Sequence, residues 1–435
     1  MTLLNALRLA FASSLLLLTA CSEKPAPDTT SQEENRHQAL QEAVATVMEN
    51  EIQAERIAGG TALITIGGER VVADAWGWNN KEAGEPMAFS DLFRIASMTK
   101  IVTTTALLQL HEQGLVDLDD PVKQYIPEFA NPRVLTEVDP DTGDYQTRPA
   151  NRDITIHDLL THTSGIAYPF TDETLAKLYE QANIQGLGTT EPLKLEDTMV
   201  RLAGLPLKHD PGEQFTYGYS LDVIGRVVEV VSGQSLADYF QAHIFEPLGL
   251  EDIGFYFPGR KDDLTRLYSI PEETLIPYPE DNDNGLHPDY PVRGAMTYYP
   301  GGGGMTSSTE DYHRFLTMLH KGGSLEGTRI LKPESVKLMK TNQFGELNLD
   351  GSKFSYGLRI TTPESVEGQG EHQRPEGQDP HLRPVGSLSW GGIFQTTYWI
   401  DPKNDMIVVL MTQVLPSPYQ GEFYKAFEQA IYKNL

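Results

Sequence analysis

The chain has 435 residues, long enough for two packed regions or one large domain with an insertion, and its 39% hydrophobic and 22% charged content fits a soluble globular protein. A net charge of −27, from 34 basic against 61 acidic residues, argues for solubility and against nucleic acid or anionic surfaces as partners. The single cysteine, Cys21, excludes disulfides within the chain and cysteine-only metal sites.

Residues 1–20 read as a signal peptide. Arg8 gives a thin positive region, and Leu9 to Leu18 is apolar apart from Ser13 and Ser14. That core falls short of the roughly 20 apolar residues a spanning helix needs. Leu18-Thr19-Ala20-Cys21 then resembles a bacterial lipobox. The resemblance implies diacylglyceryl attachment to Cys21 and an envelope lipoprotein facing the periplasm, with Ser22 similar to outer-membrane sorting signals. Residues 21–36 are rich in Pro, Ser, Thr and Glu and read as a disordered tether.

From Gln38 to Ile57 apolar residues recur at helical spacing, and Gly59-Gly60 stops the pattern. Thr61–Ile66 and Arg70–Trp76 read as strands joined by a Gly67-Gly68 turn. Ser97–Gln113 is helical in pattern, with Gly114 as its stop. The middle of the chain shows short helical stretches between Pro- and Gly-rich loops. Gly301–Gly304 asks for unusual backbone angles or close approach, and Ser308 opens a helix over Tyr312–Leu319. Glu364–Pro384 reads as a mobile loop. Strands return at Ser387–Trp390, Phe394–Ile400 and Met406–Thr412, and Tyr419–Tyr432 closes the chain as a helix. The expected fold class is α+β. Residues 37–118 and 341–435 form one antiparallel sheet built from both chain ends and flanked by helices, and residues 119–340 are a mainly helical insertion.

Ser97-Met98-Thr99-Lys100 is the only Ser-x-x-Lys in the sequence. On a helix, residues three apart share a face, so Lys100 can approach the Ser97 oxygen. A serine at a helix N-terminus also lies where an oxyanion would be stabilised. Taken alone, Ser97 reads better as an N-cap, for which serine is favoured. Pro211-Gly212-Glu213-Gln214-Phe215-Thr216-Tyr217 precedes a helical run at Asp222–Val231. A phenol beside Ser97 and an ammonium could take and return the serine proton, although a lone tyrosine is more often a packing residue. Trp390-Gly391-Gly392 places two glycines on a strand, which indicates either a bulge or close approach by a ligand or backbone. His157 and His162 have no zinc-protease pattern around them and read as structural hydrogen-bonding residues.

Together with Ile154–Gly165, Pro247-Leu248-Gly249-Leu250 and the Gly301–Ser308 stretch, these motifs resemble the serine β-lactamase and penicillin-binding-protein superfamily over about residues 40 to 430. Two departures point within it. Trp390 stands where β-lactamases commonly carry the lysine of Lys-Thr-Gly, and Tyr217-Gly218-Tyr219 lacks the asparagine of Tyr-x-Asn. Both are similar to family VIII carboxylesterases. No Gly-x-Ser-x-Gly is present, which speaks against an α/β-hydrolase elbow.

The resemblance implies ester hydrolysis through an acyl-enzyme on Ser97, with Lys100 and Tyr217 moving the proton. It places the oxyanion hole at the N–H groups of Ser97 and Ile393. Tyr219, Trp390, Gly391 and Gly392 are expected around the substrate. The alternative is a β-lactamase or D-Ala-D-Ala carboxypeptidase acting on a β-lactam-like substrate. No metal, cofactor or nucleic acid is expected, and the membrane is reached only through the anchor at Cys21.

Overall fold

The computed structural model describes residues 29–139, 144–282, 285–367 and 382–435. The expected signal peptide, Cys21 and most of the Glu364–Pro384 segment lie outside the described residues. Within that last segment, Pro363–Glu367 forms a short helix.

Helix α1 spans Thr29–Gln53 and so begins inside the stretch expected to be a tether. Gln32, Glu33, Glu34 and Arg36 are polar but rank among the better helix formers. Polar composition there is compatible with a helix. Leu40, Val44 and Met48, spaced by one turn, are its buried stripe.

Strands β1 (Gly59–Ile66) and β2 (Glu69–Asn80) form the expected hairpin, with both turn glycines, Gly67 and Gly68, at positive φ. Then come β3 (Glu85–Pro86), β4 (Lys353–Phe354), β5 (Arg359–Ile360), β6 (Leu388–Gly392), β7 (Thr396–Asp401) and β8 (Met406–Met411). They make one sheet in the order β4-β5-β6-β7-β8-β1-β2-β3. Pairing of β1 with β8, Thr61 opposite Met411, joins the two ends of the chain as expected.

The sheet is covered on both faces, which explains why β8 reads as an unbroken apolar run. Met406, Val408 and Leu410 point into a cluster with α1 and with α5 (Gln420–Tyr432), including Phe423, Phe427 and Ile431. Ile407, Val409 and Met411 point the other way, into the larger core. That core also holds α2 (Thr99–Glu112), α3 (Ser220–Ser232) and α4 (Thr309–His320).

The middle region departs from expectation in two ways. It contains a hairpin, Arg133–Val138 against Tyr145–Pro149. In addition, α4 lies directly on the sheet, where Thr309 Oγ1 bonds Thr61 Oγ1 at 2.5 Å and His313 Nε2 bonds Thr65 Oγ1 at 3.0 Å. The boundary placed at residue 340 therefore does not separate two packing units. A chain that buries both faces of its sheet needs a helix there, and α4 supplies it.

The 154–165 motif is a scaffold. Thr155 caps the short helix Ile156–Leu160 by accepting from Asp158 N–H, and the Asp158 carboxylate accepts from Thr155 N–H. Arg152 grips that carboxylate with both terminal nitrogens, at 2.5 and 2.8 Å. The loop that follows runs beside the Tyr217 segment: Thr216 N–H donates to His162 O, and Tyr168 N–H donates to Tyr217 O. A Cβ on Gly218 would overlap the Ile166 carbonyl, so glycine permits this approach.

Candidate active site

Ser97 lies in a single 3₁₀ turn, Ala96–Met98, immediately before α2. This replaces the expected start of the α-helix at Ser97 itself. Ala96 has φ +42, a strained value for a residue with a Cβ. Neither this turn nor α2 has a side-chain cap bond, so Ser97 is not serving as an N-cap. Its hydroxyl instead meets Tyr217 Oη at 2.6 Å and Lys100 Nζ at 3.2 Å. The three residues singled out in the sequence are thus brought together.

Lys100 is buried, and its three N–H directions have three acceptors: Gly302 O at 2.6 Å, Ser97 Oγ, and Tyr168 Oη at 3.2 Å. Lys100 Nζ also lies 4.6 Å from the centre of the Tyr217 ring.

Trp390 sits mid-strand on β6, opposite Tyr398, in regular register. The two glycines after it do not form a bulge. They permit close approach: a Cβ on Gly392 would overlap the Ile95 carbonyl. This contact sets the strand end, and Ile393 after it, against the Ser97 turn. Trp390 Nε1 donates to Tyr217 Oη at 3.4 Å. Ile393 is exposed.

Tyr219 differs from expectation. It is 4% exposed, packed in the core behind Tyr168, with ring centres 4.6 Å apart, and against Tyr179. Tyr168 takes the position beside Lys100, and its ring stacks on Phe170, which is 66% exposed. Tyr219 opens α3, and the turn directs its ring inward while Tyr217 faces the serine.

His162 also differs. His157 Nδ1 pairs with Tyr356 Oη at 2.8 Å as a structural histidine does. His162 is fully buried against the Tyr217 ring at 4.9 Å, and among the described residues neither ring nitrogen has a hydrogen-bond partner. Burial, with the nearby Lys100 charge, pushes its pKa well below the usual histidine value, so it is a neutral support.

Sequence reasoning passed over Tyr168 and treated Asp222 only as the start of a helical run. Asp222 Oδ1 accepts from Gly302 N–H at 3.0 Å, and Oδ2 accepts from Tyr168 Oη at 3.3 Å. Burial raises its carboxyl pKa to about 6, against the lowering effect of Lys100. Burial and then the Asp222 charge hold the Tyr168 phenol well above its ordinary value, so it remains a donor. The glycine run was the available signal. A Cβ on Gly302 would lie 2.5 Å from Tyr168 Oη and closer still to Asp222 Oδ2.

The arrangement is a buried lysine and a phenol converging on one serine hydroxyl, a set suited to covalent acyl transfer. Comparison with known proteins agrees. The Beta-lactamase family model matches residues 40–430. Protein Rv1367c of Mycobacterium tuberculosis is 32% identical over 78% of this chain and 82% of its own length. Esterase EstB of Burkholderia gladioli is 29% identical, covering 89% of this chain and 93% of its own. The solved structure of EstCE1, a hydrolase with promiscuous acyltransferase activity, superposes with a TM-score of 0.76 at 26% identity, over 91% of this chain and 99% of that one. Family, fold and site geometry converge: the chain belongs to the Beta-lactamase family and is a serine hydrolase.

Proposed function

We propose that the protein hydrolyses carboxylic esters through an acyl-enzyme on Ser97. The observation that carries this is the 2.6 Å contact between Tyr217 Oη and Ser97 Oγ, with Lys100 on the same hydroxyl. Tyr217 Oη, in direct contact with Ser97 Oγ, is the group placed to take the serine proton, with Lys100 and the Trp390 indole N–H beside it.

Ser97 Oγ attacks the ester carbonyl while Tyr217 takes its proton. The tetrahedral oxyanion is held by the N–H groups of Ser97 and Ile393, each worth about 10²–10³ in turnover. The ester C–O bond breaks, and the departing alkoxide takes the proton from Tyr217. Water then gives a proton to Tyr217 and attacks the acyl carbon, and Ser97 leaves with that proton.

Substrate preference follows from the surroundings. Trp390 stands where the resemblance places a lysine that would hold a substrate carboxylate, and Gly391 and Gly392 let its strand lie close against Thr396 and Ile95. Phe170, stacked on Tyr168, and Ile393, next after Gly392, are exposed apolar side chains. A neutral ester with an apolar acyl or alcohol group fits this lining better than a carboxylate-bearing β-lactam. The relatives EstB and EstCE1, an esterase and a hydrolase by name, support that ranking.

The proposal includes an envelope location through acylated Cys21, which rests on the apolar Leu9–Leu18 stretch and the Leu18-Thr19-Ala20-Cys21 motif. Among the described residues no helix is long and apolar enough to cross a membrane. A fluorophosphonate probe tests the central step. Peptide mapping should place the adduct on Ser97, and labelling that survives Ser97→Ala would refute the nucleophile.

A further inference from the structure

Asp222 lies in the first turn of α3, where a carboxylate is favoured by the helix N-terminus, and its two oxygens accept from Gly302 N–H and the Tyr168 hydroxyl. Its two oxygens reach the catalytic lysine by two routes. One runs from Oδ2 through the Tyr168 hydroxyl to Lys100 Nζ. The other crosses the backbone of Gly302, whose N–H donates to Oδ1 and whose carbonyl accepts from Lys100. All four groups are held together by the missing side chain at Gly302.

We propose that Asp222 is a positioning residue for the reaction: through Tyr168 and Gly302 it holds the Lys100 side chain in place under Ser97. This rests on the acyl-enzyme reading and extends it to residues that do not touch the substrate. A cation taken out of water is stabilised by a nearby buried counter-ion. Asp222 is that counter-ion, one hydroxyl away. The titratable groups facing it are Lys100 from α2, Tyr168 from the loop after Gly165, Tyr219 at the start of its own helix, and Tyr298 from the segment before the glycine run. The three phenols have raised pKa values and stay neutral, so Lys100 is the only cation among them.

The sign of the pH effect follows. Asp222 titrates at about 6, so its charge is present at neutral pH and is lost as the pH falls through that value. Lys100 then loses its counter-charge, and the rate declines on the acid side.

The test uses the full chain with Asp222→Asn and Tyr168→Phe. The readings are kcat and KM for p-nitrophenyl butyrate between about pH 5 and about pH 9, fluorophosphonate labelling rate, and melting temperature. Asp222→Asn keeps the shape and should lower kcat by about 10-fold or more at neutral pH, leave KM little changed, and remove the limb near pH 6. Tyr168→Phe breaks only the hydroxyl route and should give a smaller loss on kcat with the limb displaced. A purely structural role would lower the melting temperature without altering the profile.

A folded Asp222→Asn with wild-type kcat and an unchanged acid limb would overturn the inference while leaving the nucleophile intact. If Asp222→Asn does not fold, Tyr168→Phe decides in the same way: an unchanged profile overturns it. Absence of Ser97-dependent labelling in the wild type would instead bring down the acyl-enzyme reading, and this inference with it.

Discussion

Gly302→Ala offers a quantitative test of how tightly the lysine is held. The added methyl would lie 2.5 Å from Tyr168 Oη and nearer still to Asp222 Oδ2, whereas ordinary contact begins at 3.4 Å. Each oxygen must therefore retreat by about 1 Å. The Tyr168–Asp222 bond, already 3.3 Å, cannot survive that movement, and the 3.2 Å Lys100–Tyr168 contact is strained with it. A misplacement of about 1 Å in a catalytic group costs on the order of 10²-fold in rate. Overpacking costs about 1–3 kcal/mol in stability. Paired measurements of kcat/KM on p-nitrophenyl butyrate and of melting temperature read both effects. Activity within about twofold of wild type, with an unchanged melting temperature, would refute the argument that this glycine is required by close approach.

Other outcomes follow from the same geometry. Tyr217→Phe removes the group 2.6 Å from Ser97 Oγ and should slow acylation by about 10²–10⁴; near-normal stopped-flow acylation would exclude Tyr217 as the base. His313 is buried beside Arg70 and its pKa is lowered from 6.5 to about 3, burial being the larger cause. The unfolded chain takes up that proton first as pH falls, so stability from the neutral ring is full above about 6.5 and is lost progressively toward about 3. His313→Gln abolishes this dependence, so the stability gap between wild type and variant should narrow from about pH 7 to about pH 5 in denaturant melts; a constant gap would contradict the assignment. Cys21→Ser should release the protein from membrane fractions on cell fractionation, and continued membrane partitioning would end the lipoprotein proposal.

What was legible in the sequence is what short spacing and strand periodicity encode. The hairpin at Gly67-Gly68, the strands on either side of Asp401–Asp405 and the sheet joining both chain ends all follow from alternation and turn residues. Ser97 and Lys100 were legible because one helical turn fixes their relation, and Tyr217 because the surrounding motifs selected it. Glycine pairs and runs correctly signalled close approach at Gly392 and Gly302, although they could not say against what. What the sequence withheld depends on tertiary placement. Tyr168 and Tyr219 are both aromatic residues near motifs, and only the packing of α3 against the 161–168 loop decides which one meets Lys100. Asp222 resembles an ordinary first-turn carboxylate until its partner glycine arrives from 80 residues away. His162 resembles a hydrogen-bonding histidine until its surroundings prove aromatic. The start of α1 was missed because polar composition was read as disorder, although the same residues favour helix.

The most direct test of the central claim is side-by-side turnover of p-nitrophenyl butyrate and nitrocefin by the purified chain, with Ser97→Ala as control. Rapid ester cleavage that disappears in Ser97→Ala is expected, with little nitrocefin turnover. Fast nitrocefin hydrolysis with negligible ester cleavage would contradict it.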